Sequence, residues 1–309
     1  MPMNSVRIKI TDKCPWNCWW CHNEGTGNRQ NNIIKDVDFF NDEFFKEFLN
    51  ITNDLHINEI HLTGGEPSLH PDIDLIIKKL KQYGFKVKMT SMGTSMNIFK
   101  KIVKTGIDSI NFSLHAINDV DMIKTQIDRS NSWIAKNHQK LLDVIKFTKE
   151  SGVLVKINTV IADEDDYCRV LKVVKWAAVQ NINVRILNEV NRNTYSINAI
   201  RKFFNTLNAV EIGRKYVKGS STGTISYFIP KIGEIDFKVL VPNYLPTMCN
   251  NCIMKKQNLC GEYFYGIRIE NLSGNYYARL CIHKTESNTY FPLTKFKSTN
   301  AYASLRGDY

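Results

Sequence analysis

Val6-Arg-Ile-Lys-Ile-Thr11, then Asp12 and Lys13, then Cys14-Pro-Trp-Asn-Cys18-Trp-Trp-Cys21 is the stretch on which the reading of this chain turns. The β-branched run predicts a strand buried on both faces. The C-x3-C-x2-C motif at its end sets three thiols on one tight loop. Thiolates hold iron–sulfur clusters. Three of them serve three irons of a cubane and leave the fourth open. The same thiols also suit a zinc knuckle, for which His22 is a possible fourth ligand.

Outward from this stretch, short apolar runs alternate with amphipathic ones. Glu59–Thr63, Lys86–Thr90, Ser109–Leu114, Leu154–Ile161 and Asn183–Glu189 are expected strands. Asp42–Asp54, Pro71–Tyr83, Met96–Thr105, Ser132–Ser151 and Asp166–Gln180 are expected helices between them, with Pro71 in a first turn and Gly84, Gly106 and Gly152 at helix ends. This alternation predicts right-handed parallel βαβ units. Six strands do not complete an eight-stranded barrel, so the expected fold is α/β, an open partial (β/α)6 barrel with active groups at the C-terminal ends of its strands. The pattern changes near residue 195. A helix over Ile197–Val210 and an antiparallel pair over Thr224–Ile229 and Glu234–Val241 are expected there. The division is therefore 1–194 for the barrel and 195–309 for a small C-terminal α+β extension.

No run of about 18 apolar residues exists, and the N-terminus lacks the apolar core of a signal peptide, which predicts a cytoplasmic protein with no membrane partner. In a reducing compartment the eight cysteines are expected to bind metal or act chemically rather than form disulfides. They cluster: Cys14, Cys18 and Cys21 in one group, Cys249, Cys252, Cys260 and Cys281 in another, with Cys168 apart as a small buried hydrophobe or a thiol at a helix start. The formal charge of +11 fits either a Lys-rich solvated surface or an anionic partner.

The motifs resemble those of the radical S-adenosylmethionine (SAM) superfamily. Trp20 fills its aromatic position before the third cysteine, and Thr63-Gly64-Gly65-Glu66-Pro67 after the second strand is similar to its GGEP motif. The resemblance implies a 4Fe–4S cluster on Cys14, Cys18 and Cys21, with SAM on the open iron. Gly64, Gly65, Glu66 and Pro67 would contact the SAM amino group: glycines admit close approach, and Glu66 balances an ammonium. Ser91, in Thr90-Ser-Met-Gly-Thr94, resembles a ribose contact, with Met92 in place of the commoner Asn. Ser113 and His115 resemble the fourth-strand S-L-[DH] element. Lys156 and Asn158 resemble V-K-[IV]-N of one branch, and Arg185 resembles its R-[FI]-[IL]-E. For each of these, core packing around a satisfied polar group is the plainer reading.

The late cysteines allow a tetrahedral zinc site. Between them, Gly266-Ile-Arg268-Ile-Glu-Asn-Leu-Ser-Gly274 and Ala278-Arg-Leu-Cys281 resemble the Twitch/SPASM-type extension, which implies a second, auxiliary 4Fe–4S cluster. The branch resembled is that of the molybdenum-cofactor GTP 3′,8-cyclases. The chain departs from it in carrying four late cysteines rather than three, in keeping only Arg268 of a paired arginine motif, and in ending Ser-Leu-Arg-Gly-Asp-Tyr rather than in Gly-Gly.

The resemblance implies reductive cleavage of SAM, fed by a reductant such as flavodoxin or ferredoxin, to a 5′-deoxyadenosyl radical that takes hydrogen from a substrate. A small molecule, anionic and nucleotide- or sugar-like, is the expected substrate. Lys156, Arg185 and Arg268 would converge on it and on the SAM carboxylate; pairing with internal acids such as Glu189 or Glu270 is the plainer role for these cations. A peptide is the alternative substrate, although the chain begins at its first strand without a leader-recognition domain. A non-catalytic metal-binding protein that holds nucleic acid is the third class, and nucleic acid is not an expected partner.

Overall fold

Each of the six strands expected before residue 195 forms within one residue of its expected ends in the computed structural model, which describes residues 4–25, 34–284 and 288–307. Met1–Met3, where the N-terminal reading begins, and Asp308 and Tyr309, where the C-terminal one ends, lie outside the described residues. The strands are β1 (Ser5–Thr11), β2 (Ile34–Lys35), β3 (Glu59–Gly64), β4 (Lys86–Ser91), β5 (Ser109–Ser113), β6 (Leu154–Ile161) and β7 (Asn183–Asn188). They continue as β8 (Val210–Tyr216), β9 (Thr222–Ile229), β10 (Gly233–Leu240), β11 (Arg268–Leu272), β12 (Asn275–Arg279) and β13 (Tyr290–Pro292).

All thirteen belong to one sheet of order β13-β12-β11-β1-β3-β4-β5-β6-β7-β10-β9-β8, with β2 beside β11. From β1 to β7 the neighbours are parallel, as the βαβ reading requires. The extension adds one more parallel strand at each edge, β11 beside β1 and β10 beside β7. Lys238 on β10 reaches across to Tyr265, just before β11, with Nζ 2.6 Å from the phenol oxygen, and Ser220 Oγ donates to the Tyr265 carbonyl at 2.6 Å. Ser221 N–H donates to the Phe264 carbonyl (2.8 Å) and Phe264 N–H to that of Asn243 (2.7 Å), so side chains and isolated main-chain bonds together join the two edges of the partial barrel.

The helices cover the outer face. In Asp42–Asp54 the Asn41 side chain accepts from Phe44 N–H at 2.8 Å, and Phe44, Phe45, Phe48 and Ile51 turn inward. Each such side chain stabilises the packed state by about 1.5–3 kcal/mol. The helix expected over Pro71–Tyr83 runs Ile73–Gln82, and Pro67 rather than Pro71 opens a helical turn, that of Pro67–Leu69. The helix expected over Ile197–Val210 runs Asn193–Thr206. It starts early because the Glu189 carboxylate accepts the N–H groups of Asn191 (2.9 Å) and Arg192 (2.7 Å). Val210 belongs instead to β8, an edge strand exposed along its whole length. The expected division at 194/195 falls inside this helix, and the sheet runs through it. Among the described residues no helix is long and apolar enough to cross a membrane.

Candidate active site

The first cysteine loop is docked by backbone. Gly65 N–H donates to the Thr11 carbonyl (2.8 Å) and Glu66 N–H to that of Lys13 (2.7 Å). A Cβ on Gly64 would stand 2.3 Å from Thr11 O, and one on Gly65 would stand 2.4 Å from Lys13 O. The close approach that the glycines permit is thus made by the chain leading into Cys14. On the loop's other side Ile127 N–H donates to the Asn17 carbonyl (2.8 Å), and Gln126 Nε2 to Cys18 Sγ (3.2 Å). Cys18 is half-buried while Cys14 and Cys21 are exposed, and Met92 Sδ lies 4.0 Å from Cys18 Sγ.

Glu66 is buried, and its carboxylate is a hub. Oε1 accepts from Ser68 N–H (3.0 Å), Ser68 Oγ (2.6 Å) and Ser91 Oγ (2.6 Å); Oε2 accepts from Met92 N–H. Burial raises its pKa against these bonds. Oε2, with one bond, keeps acceptor capacity that a ligand can use. Pro67, buried beside it, opens the short turn that aims Ser68 back at Glu66. Ser113, the last residue of β5, pairs across with Asn158 in the middle of β6. His115 packs edge-on against Trp20, with ring centroids 4.8 Å apart. Burial and the Arg169 charge lower His115 to about 3, so its ring is neutral. Asn158 Oδ1 and His115 Nδ1 are buried without a hydrogen-bond partner. Two unsatisfied polar atoms on neighbouring segments fit a polar ligand there.

Deeper in the barrel the side chains are cationic. Lys156 on β6 is half-buried, 3.9 Å from Asp236, and lowered by burial and by Arg185. Arg185, beside Asn158 on β7, has a buried Nε with no partner, and so has Arg7 on β1. Arg268 is 5% exposed. Its Nε donates to Glu24 at 3.1 Å and its Nη2 to Glu262, leaving Nη1 alone. The internal acids it meets are Glu24 and Glu262, not Glu189, which caps a helix, nor Glu270, which lies 4.0 Å from Arg279. Sequence reasoning missed Arg7, Lys238 and Tyr265. Their only signal is a charged or phenolic residue inside an otherwise apolar run.

Among the late cysteines Cys249, Cys252 and Cys281 are buried and Cys260 is half-buried. Tyr263 N–H donates to Cys260 Sγ (3.3 Å). Glu262 Oε2 accepts from Ile282 N–H (2.8 Å), tying the segment to the strand end that bears Cys281. Burial pushes the Cys281 thiol up to about 12, and a bound cation reverses that preference. Among the described residues no three Cys, His, Asp or Glu side chains close on a single point. One zinc ion, at a Zn–S distance of about 2.3 Å, would require that. A cubane, in which each thiolate holds its own iron, does not impose that condition.

Comparison with known proteins agrees with this chemistry. Residues 8–177 match the radical SAM superfamily. A probable GTP 3′,8-cyclase of Pyrococcus horikoshii is 26% identical over 262 residues, which are 81% of this chain and 79% of that protein. One of Thermoplasma volcanium is 25% identical over 309 residues, 97% and 84% of the two chains. Among solved structures, native anSMEcpe with bound AdoMet superposes at a TM-score of 0.58, with 12% identity over 97% of this chain and 82% of that one. Streptococcus suis SuiB bound to S-adenosylmethionine superposes at 0.56, with 13% identity over 98% of this chain and 65% of SuiB. At such identities the structural likeness speaks to the fold alone.

Proposed function

The chain belongs to the radical SAM superfamily, and from that premise we propose that it acts on a small anionic, nucleotide- or sugar-like molecule held in the cationic barrel interior. It is an enzyme that uses a 4Fe–4S cluster and SAM. Together, when bound, these supply a 5′-deoxyadenosyl radical able to take hydrogen from carbon.

In this reading Cys14, Cys18 and Cys21 hold the cluster. SAM lies along Gly64–Pro67, Ser91, Ser113, His115 and Asn158, with Trp20 covering it. The neutral His115 ring and the Asn158 amide bind by hydrogen bonds without adding charge. Glu66 places a carboxylate near the SAM ammonium while its serine partners hold that carboxylate still. Cys249, Cys252, Cys260 and Cys281 hold a second cluster, with the Arg268–Glu262 pair fixing the segment.

The observation that carries the substrate class is the pair of buried, unpartnered guanidinium nitrogens, Arg185 Nε and Arg7 Nε, on strands that face each other across the barrel. A planar anion such as a phosphate or carboxylate satisfies both the donors and the charge. Lys156, two residues before the Asn158 that faces Arg185, adds a point charge one layer away. The test is anaerobic: reduced holoenzyme and SAM are given GTP, other nucleoside triphosphates, sugar phosphates or short peptides, and 5′-deoxyadenosine is measured against the substrate-free rate. An anionic small molecule should raise that rate, and Arg185→Ala should remove the rise while leaving the basal cleavage. Stimulation by neutral peptides and by no anion would move the protein to the peptide-modifying class.

A further inference from the structure

Three cations surround one phenol where the barrel edges meet. Lys238 Nζ on β10 and the Tyr265 oxygen are 2.6 Å apart, and Arg7 Nη1 on β1 is 3.5 Å from the same oxygen. The ring itself is flanked: Lys238 Nζ stands 4.3 Å from its centroid, the Arg268 guanidinium 5.2 Å and that of Arg7 5.4 Å. The carboxylates nearby offset the two guanidinium groups but do not reach Lys238. Glu24 is shared between Arg7 and Arg268, and Glu262 is committed to Arg268. His61 on β3 lies 3.4 Å from Arg7 and is held well below its usual value by burial and by Arg7, so it is neutral. Arg185 on β7 adds a further positive charge, and burial and the neighbouring cations lower Lys238. Among the described residues Tyr265 is the one hydrogen-bond partner of Lys238.

Like charges gathered in a partly desolvated space destabilise it unless an anion lies among them. Glu24 and Glu262 serve the two guanidinium groups, and Tyr265 is the group placed to be the anion beside Lys238. Burial would raise its pKa, but Lys238, Arg7 and Arg268 outweigh burial and bring it to about 7. The residue as a whole is half-buried. Arg7 Nε, on the same guanidinium, still has no acceptor.

We propose that Tyr265 is a stand-in anion, whose phenolate oxygen keeps the place between Lys238 and Arg7 that an anionic group of the substrate takes on binding. This rests on the anionic-substrate reading above and adds a residue and a proton to it. When the incoming anion takes Lys238 and Arg7, the phenolate takes up one proton from solvent; no other bond forms or breaks. A phenol suits this role better than a carboxylate. Once protonated it stays near the ligand as a neutral donor, whereas a displaced carboxylate would keep a charge that repels the newcomer. Above the Tyr265 midpoint every binding event must return that proton, so affinity for an anion falls about tenfold per pH unit.

The experiment uses the reconstituted holoenzyme with sulfate, a dianion that does not itself titrate near neutrality, against chloride at matched ionic strength. The tyrosinate ultraviolet difference band and the sulfate dissociation constant are followed from pH 6.5 to 9. Sulfate should abolish one tyrosinate's worth of signal in the wild type, and its dissociation constant should rise about tenfold per unit above neutrality. Tyr265→Phe should show neither the signal nor the slope. An unchanged tyrosinate band on sulfate binding to the wild type, which needs no variant, overturns the inference, as does an equal slope in Tyr265→Phe. Sulfate binding to neither protein removes the anionic-substrate reading itself.

Discussion

The loop of Cys14–Cys21 is fixed chiefly by main chain, whereas the segment of Cys249–Cys281 combines the strand ladder of β11 on β1 with a network of buried charged side chains. In the first, Gly65 and Glu66 donate backbone bonds to Thr11 and Lys13, and the fit leaves no room for a Cβ. In the second, Arg268 and Glu262 carry the connection, with Glu24 completing the network from the first loop. Main-chain docking dictates residue type at fixed spacing, so the first site reads as a motif. A buried ion pair needs only complementary ends at the right place in space, so its members scatter along the chain.

That contrast is open to attack at several points, and the strongest blow falls on the first site. Replacing Cys14, Cys18 and Cys21 together by Ala should abolish 5′-deoxyadenosine formation. If the two sites are built independently, iron should fall from roughly eight to roughly four per chain, one cubane's worth, as iron analysis and electron paramagnetic resonance would show. Loss of all iron would mean that the sites assemble as one, and about four irons plus one zinc in the wild type would make the late cysteines a zinc site.

Arg268→Ala attacks the side-chain joint. It leaves Glu24 and Glu262 buried without their shared partner, and should cost about 3–5 kcal/mol in denaturant unfolding. Iron should be lost from the late cysteines first. If stability is unchanged while substrate-stimulated turnover disappears, Arg268 belongs to the substrate instead.

Gly65→Ala attacks the main-chain joint. The methyl group meets the Lys13 carbonyl, and the cost should approach about 3 kcal/mol, the upper end for forced overpacking. Occupancy of the first cluster should fall while the late site stays loaded. A fully loaded first site in this variant would show that the loop tolerates displacement.

The smallest effect is set by pH. His115 sits at the first site with its pKa lowered to about 3 by burial and Arg169. The unfolded chain binds a proton near pH 6.5 that the folded chain refuses, so stability is full above 6.5 and declines as pH falls towards the folded value. The sign gives roughly 2 kcal/mol lost by pH 5 through this residue, and His115→Gln should recover most of it in urea titrations. Parallel acid slopes in variant and wild type would remove the burial argument for this ring.

The same contrast explains what could be read in advance. The six central strands were legible because short β-branched apolar runs recur between helical stretches, with buried apolar residues at alternate positions in Lys86–Ser91 and Asn183–Asn188. The first cysteine loop and its glycines were legible because sterics restrict the residue choice. β8 was not: it lies at the edge, exposed on both sides, with nothing to impose an apolar pattern. The helix from Asn193 lacks a capping side chain at its own first position, its turn being started by Glu189, so its onset was expected four residues late. In the site, Arg7 is separated from Lys238 and Tyr265 by most of the chain, and only the closing of the barrel edges makes them neighbours. The partners of Arg268 were misjudged for the same reason, since Glu24 and Glu262 reach it from two different segments.

The parallel pairing of Arg7 with Arg268 also sets an order of events during synthesis. β1 leaves the ribosome first, and β3 follows soon enough to cover one of its edges. The other edge waits for β11, which is made last but for β12, β13 and the terminal helices. Through most of translation the nascent chain therefore carries an apolar strand with an unsatisfied rim, bearing the cysteine loop at its tip. Such rims recruit any extended segment nearby. Truncation before Arg268 should thus yield aggregates rather than a smaller folded barrel, and any factor that delivers iron and sulfide to Cys14–Cys21 meets this unfinished edge whenever it arrives before the chain is complete.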